Sequence, residues 1–319
     1  MATHAIDLKA PDVAPPNADP PRLVARRHPG RWVAAAVLAV LAAMAAHSFV
    51  TNPRFEWGTV GSYLTADTVL RGLGLTLGLT AATFVAGWLL GIGLAAMRLS
   101  SNPVLSAVSF GYVWLVRSIP PLVLLLFWFN LAAIYPTLSL GVPFGPEFVR
   151  FDTAHLFGGI LAAFVALTLD VAAFAAEIVR GGLLSVPAAQ LDSARSLGLS
   201  PRRIFRRIVL PQAMPAIVPG AGNLLIGTLK STSLVSVIAV TDLLYSVQMI
   251  YAQNFQVMPL LFVATLWYIV ATTVLAVVQF FVERRYARGR AGSGRASWSG
   301  TAVLGSALRW RPRLAGGDR

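Results

Sequence analysis

Two acids, Asp170 and Glu177, stand seven residues apart inside one apolar run, and a lysine, Lys230, lies inside another. Seven residues make two helical turns, so the two carboxylates share a helix face. A charge at mid-bilayer costs about 2.5–3.5 kcal/mol on insertion scales, so each asks for a partner or a water-filled path. Together they could receive a zwitterion: Lys230 or Arg117 would take a carboxylate, and Asp170 or Glu177 an ammonium group. The competing reading is packing ion pairs, such as Glu177 with the nearby Arg180. Nothing points to catalysis. There is no cysteine, and His4, His28, His47 and His155 are scattered without metal-ligand spacing. No catalytic residue, metal or cofactor is therefore expected. The run Gly222-x4-Gly227-Thr228-Leu229-Lys230-Ser231 lacks the adjoining Gly-Lys of a phosphate-binding loop. Gly91-x-Gly93-x-x-Ala96 has no strand–helix–strand unit around it.

The elements that must position these residues follow from composition. Of 319 residues 56% are hydrophobic and 12% charged, against about 25% charged in a soluble domain. That composition excludes intrinsic disorder and collagen and argues against a water-soluble enzyme. A membrane-crossing helix needs about 20 apolar residues, and six segments qualify: Trp32–Val50, Val69–Met97, Val104–Ile134, Phe157–Ile178, Pro215–Val240 and Pro259–Val282. Pro120-Pro121 should divide the third, since a proline pair removes two backbone donors. Gly74-x3-Gly78 and Gly87-x3-Gly91 in the second read as close helix packing.

The net charge is +13, from 26 Lys+Arg and 13 Asp+Glu. Cytoplasmic loops collect the positive residues. With the N-terminus inside, the cytoplasmic side holds Lys9, four arginines at 22–31, Arg98, six arginines at 180–207 and nine after Val282. That is 21 of the 26, against Arg54, Arg71 and Arg150 outside. Both termini are therefore expected in the cytoplasm, and nucleic acid is not needed to explain the basic excess. Residues 1–31 and 286–319 read as disordered tails. Trp32–Val50 reads as an uncleaved helix, being long for a signal peptide and preceded by a long charged leader.

The loop between the fourth and fifth spans, Arg180–Pro211, has an internal grammar. Pro187–Leu197 reads as a helix with Pro in its first turn and acids towards its start, stopped by Gly198. Ser200 should cap a second helix with Pro201 first, Ile204, Phe205 and Ile208 on one face, arginines opposite, and Pro211 closing it. Such a knob is either a positive surface element or a docking element for a partner.

These residues resemble the pattern E-A-A-x-x-x-G, nine residues, I-x-L-P of the permease subunits of ATP-binding-cassette importers. Asp192-Ser193-Ala194, Gly198, Ile208, Leu210 and Pro211 keep its spacing, with Asp192 for Glu and Ser193 for Ala. Ala175–Gly182 and Leu197–Ser200 are similar to the polar amino-acid subfamily. Leu229-Lys230-Ser231-Thr232-Ser233-Leu234 is similar to its L-K-D-T-S-L, with Ser231 for Asp. Arg117–Leu122 is similar to its R-G-T-P-L-L break. At Asp170 the usual family residue is Asn.

The resemblance implies an all-α polytopic membrane protein, a type I importer permease core of five helices over 68–285. Residues 32–50 would be an added helix, and 180–213 the loop coupled to an ATPase. Implied partners are an ATP-binding-cassette ATPase, an extracytoplasmic amino-acid-binding protein, a second permease in a homo- or heterodimer, and a small-molecule substrate. The implied location is a bacterial inner membrane. The implied pathway residues are Arg117, Asp170, Glu177, Lys230, Ser231 and Thr232. The alternative is a secondary transporter or channel using Asp170, Glu177 and Lys230 as an ion path.

Overall fold

The computed structural model describes residues 29–142 and 147–287. The expected tails, 1–31 and 286–319, lie outside them apart from positions 29–31 and 286–287, which are helical. Two units are distinguished, divided after Phe55. In the first, α1 (Pro29–Thr51) is exposed from Trp32 to Thr51 and is long and apolar enough to cross a membrane. It starts slightly before, and ends one residue after, the expected 32–50.

The second unit runs α2 (Trp57–Leu64), α3 (Asp67–Arg98), α4 (Pro103–Ser118), α5 (Pro121–Phe129), α6 (Leu131–Ile134), β1 (Thr137–Gly141), β2 (Glu147–Asp152), α7 (Thr153–Leu156) and α8 (Gly159–Leu184). It continues through α9 (Ala188–Ser196), α10 (Pro201–Ile204), a π-helical turn (Phe205–Val209), α11 (Leu210–Ser231), a 3-10 segment (Thr232–Ile238), α12 (Leu243–Asn254) and α13 (Val257–Ala287). Among the described residues, five stretches are long and apolar enough to span a bilayer, or six with α4 and α5 as one broken span.

The proline pair divides the third apolar segment as expected, with a bend of 100° between α4 and α5. Pro120 is extended and Pro121 opens α5, where a missing N–H costs nothing. Asn102 starts α4 by accepting from the Val104 N–H at 2.9 Å.

Lipid offers no hydrophobic drive between helices, so close packing through small residues must hold the bundle. α8 buries Ala162, Ala163, Ala166, Ala172, Ala173, Ala175 and Ala176. Against them α3 sets Gly87 and Gly91: a Cβ there would come within 2.4 Å of Val171 and 2.6 Å of Ala175. The first pair, Gly74 and Gly78, faces open space, so only the second of the two glycine pairs packs within this chain. Two buried hydroxyls of α3 bond to their own helix, Thr80 to the Thr76 carbonyl and Thr83 to that of Leu79, each at 2.7 Å.

The sequence reading did not assign α2 or the β1–β2 hairpin. The hairpin pairs antiparallel from Thr137 opposite Asp152 to Leu140 opposite Val149, and β2 is exposed along its length. Such short elements leave little periodicity to read.

Candidate functional site

The knob between α8 and α11 is built as a closed local motif. Pro187 stands at the N-cap, so α9 begins one residue later than expected. Asp192 lies in its second turn, not the first, and pairs with Arg195 at 2.9 Å. Ser193 bonds back to the Ala189 carbonyl at 2.8 Å. Gly198 takes φ +68°. Its N–H donates to the Arg195 carbonyl at 2.9 Å, and the Leu199 N–H donates to that of Ala194 at 3.2 Å. Those two bonds define a Schellman stop, whose left-handed position suits glycine. The fixed distance from Ala194 to Gly198 is the distance this stop requires.

The turn returns Leu199 onto a cluster of Val186, Ala194, Ile204, Val209, Ala213 and Ile217. Ile178 and Leu183 of α8 and Trp88 of α3 pack on the same cluster, which ties the knob to the membrane helices. A Cβ at Gly182 would lie 2.2 Å from Ile217, so α8 and α11 meet closely just above the knob. On its outer side Ala189, Ser193, Ala194, Leu197, Leu199 and Ile208 help to line a recess of about 460 Å³. Leu197, 78% exposed, stands at its rim.

Two details of the second helix differ from expectation. Ser200 occupies the N-cap, but its side chain makes no capping bond. Pro211 does not close the helix. The chain passes through the π-helical turn, where the Leu210 N–H reaches back to Phe205, and Pro211 falls in the first turn of α11. A proline in a first turn loses no intrahelical bond, so the helix continues. The extra residue rotates the faces: Ile204 and Val209 are buried, Ile208 is half-buried, and Phe205 is exposed.

In the bundle the polar residues are only partly gathered. Glu177 pairs with Arg180 at 2.7 Å, the packing alternative anticipated for it. Asp170 is half-buried on the same helix, beside Tyr112, whose hydroxyl donates to the Leu169 carbonyl at 3.0 Å. Arg117 lies over the ring of Phe174, 5.1 Å from its centre. Asp170, Phe174 and Glu177 are spaced at helical intervals, so Arg117 reaches the α8 stripe that carries both acids. Lys230 is exposed at the end of α11. Among the described residues, no ion pair joins Lys230 or Arg117 to an acid.

Beyond Lys230 the helix tightens into the 3-10 segment. Thr232 is buried and bonds to the Leu229 carbonyl at 2.6 Å; Ser233 bonds to that of Lys230 at 2.7 Å. Ser231 is half-buried. The segment ends at Ala239, a non-glycine residue with φ 56°.

Asp242, between the 3-10 segment and α12, is fully buried. It caps α12 by accepting from the Tyr245 N–H at 2.8 Å, and the Tyr268 hydroxyl of α13 stands 3.4 Å from its other oxygen. The adjoining Leu243 N–H donates to Thr76 of α3 at 3.0 Å. A Cβ at Gly72 would meet the Asp242 carbonyl at 2.7 Å. Burial pushes the Asp242 carboxyl up to about 6. The local signal was an acid before an apolar helical run; its burial depended on α3 and α13.

Residues 84–288 match the family described as binding-protein-dependent transport system inner membrane component. Over 265 residues the chain is 39% identical to the arginine transport system permease protein ArgU of Corynebacterium glutamicum, covering 82% of each. It is 31% identical over 222 residues to the histidine/lysine/arginine/ornithine transport system permease protein HisQ of Escherichia coli, covering 69% of this chain and 94% of that one. Among solved structures it resembles an amino acid ABC transporter crystallised with histidines, at TM-score 0.59 and 29% identity over 68% of this chain and 94% of the other. The membrane fold is also that of the inward-facing methionine transporter MetNI, at TM-score 0.55 and 20% identity over 69% of this chain and 96% of the other. None of these proteins is a secondary transporter or a channel, and that alternative is set aside. The chain belongs to the binding-protein-dependent transport system inner membrane component family, the permease subunits of ATP-binding-cassette importers.

Proposed function

We propose that this chain translocates a polar amino acid of the cationic class across a bacterial inner membrane, as the non-catalytic permease of an importer. The permeases for arginine and for histidine, lysine, arginine and ornithine among its relatives support that class. Asp170, where the family usually has Asn, adds a carboxylate beside the pathway. An extracytoplasmic binding protein would deliver the substrate, and a separate ATPase would supply the work. A second permease, identical or related, would complete the pathway.

The observation that carries this reading is the knob. A rigid helix with a Schellman stop, an outer recess and a shared core with α8 and α11 transmits a push at Leu197 to the membrane helices. Closure of the ATPases would thereby turn the permease outward, a bistable rearrangement of packed helices. The loop lies in the cytoplasm, with both termini, on the strength of the 21 positive residues assigned to that side. The acidic stripe of Asp170 and Glu177, the guanidinium of Arg117 and the exposed Lys230, with Ser231 and Thr232 at the helix break, line the proposed path. Broken helices supply free carbonyls and dipoles to such midplane sites.

Gly198→Trp should abolish co-purification of the ATPase while the chain still inserts; retained co-purification would refute docking at the knob. Asp170→Asn and Lys230→Met should each lower uptake of labelled arginine. Wild-type uptake in both would remove those residues from the path.

A further inference from the structure

Arg202, Arg203, Arg206 and Arg207 are all exposed, and among the described residues none is ion-paired with an acid. Together with Ser200 they line a recess of about 500 Å³. Its lining shares no residue with the recess on the outer side of the knob, so the two surfaces are separate. The π-helical turn decides what stands beside it. By adding a residue to the turn it rotates Phe205 and Leu210 outward, leaving them 45% and 37% exposed, while Val209 goes in. The four arginines, three to eight residues before α11 begins at Leu210, are thus interleaved with or followed by two exposed apolar side chains.

We propose that this recess is a binding site for the headgroup of an anionic phospholipid of the cytoplasmic leaflet. The guanidinium fork matches two oxygens of a phosphodiester, and Arg holds such groups better than Lys does. Phe205 and Leu210 face the acyl boundary, as the apolar side of an interfacial element does. A soluble anion would have no use for those two side chains, and an acidic protein surface would not require them at the membrane edge. The inference rests on the cytoplasmic placement of the loop proposed above. The lipid would anchor the stem of the knob, between its docking side and α11.

The test uses the full chain in an uncharged detergent, without the ATPase, offered equal amounts of phosphatidylglycerol and phosphatidylcholine and read by native mass spectrometry. Phosphatidylglycerol should be retained about tenfold over phosphatidylcholine, the scale expected of a few basic residues at a charged surface. The R202Q/R203Q/R206Q/R207Q variant should bring that ratio close to one. R284Q/R285Q, which removes two charges from the last turn of α13, should leave it unchanged. If the Gln variant does not fold, replacement of all four by Lys keeps the charge and should lower the ratio roughly threefold through loss of the fork.

Equal retention of the two lipids by the wild type would overturn the proposal. Equal losses in the recess and α13 variants would also overturn it, by showing diffuse charge and no site. Displacement of the lipid by millimolar inorganic phosphate would identify a phosphate site instead. A Gln variant that keeps its lipid preference but no longer holds the ATPase would assign the recess to the protein partner. Because lipid retention is read without the ATPase, its outcome is separable from the Gly198→Trp test of docking.

Discussion

The knob at 187–199 and the junction at 239–245 are both turns between helices, and both place a residue in the left-handed region. They share one backbone closure and differ in the residue placed at its left-handed position. The knob uses Gly198 at φ +68°, and its stop is closed by two backbone bonds within six residues. The second turn uses Ala239 at φ 56° and is closed by the same two bonds. The Ala239 N–H donates to the Ser236 carbonyl at 3.1 Å and the Val240 N–H to that of Val235 at 3.3 Å. Leu243 and Asp242 beyond it are held by Thr76 and Tyr268, from α3 and α13. An L-residue in that conformation costs about 1–2 kcal/mol, which the local bonds and the tertiary contacts beyond them must offset. One turn is rigid by its own sequence. The other has the same closure but carries a strained residue, with α3 and α13 packed on the residues that follow it.

Breaking the first turn should have the largest effect. Gly198→Val puts a β-branched residue at positive φ, and uptake by reconstituted transporter should fall more than about tenfold, the equivalent of about 1.4 kcal/mol. A smaller effect is expected at the second turn. Asp242→Ala removes the cap of α12 and should destabilise the folded chain by about 1 kcal/mol, read as a lower melting temperature in detergent.

Asp242→Asn keeps a capping oxygen and should cost less than Ala, but it should change the pH profile. The Asp242 carboxyl goes from an ordinary 3.8 to about 6 on folding. The folded state therefore holds the proton more tightly, and this contribution is complete below about pH 4 and lost as pH rises through about 6. The wild-type melting temperature should carry that fall, and the Asn variant should lack it. The smallest effect should come from Ala239→Gly, which relieves the left-handed strain at the cost of chain entropy. A gain of about 0.5 kcal/mol is expected, and destabilisation there would refute the contrast between the two turns.

The same contrast explains what could be read in advance. The helix–glycine–helix of the knob was legible because each part answers to a local rule: Pro187 at the start, Gly198 at the stop, Pro201 at the restart. The bend at Pro120-Pro121 was legible for the same reason. Pro211 misled, because a proline near a helix end permits either closure or a new first turn, and the π-helical turn chose the second. Gly74 and Gly78 misled because the glycine spacing does not say which face meets a neighbour. Asp242 went unread as a site because nothing local says that an acid after an apolar segment will be enclosed.

Composition, apolar run length and arginine distribution, through rules that act along the chain, were enough to determine a polytopic helical membrane protein. With the spacing from Asp192 to Pro211 they also determined its family. The tertiary structure decided which polar residues meet. It paired Glu177 with Arg180, left Lys230 apart, buried Asp242 among three helices and turned Phe205 out beside the arginines. The physical reason is that a helical period fixes only which residues share a face. Which face is covered depends on close approaches between helices distant in sequence, such as Gly87 and Gly91 against the α8 alanines.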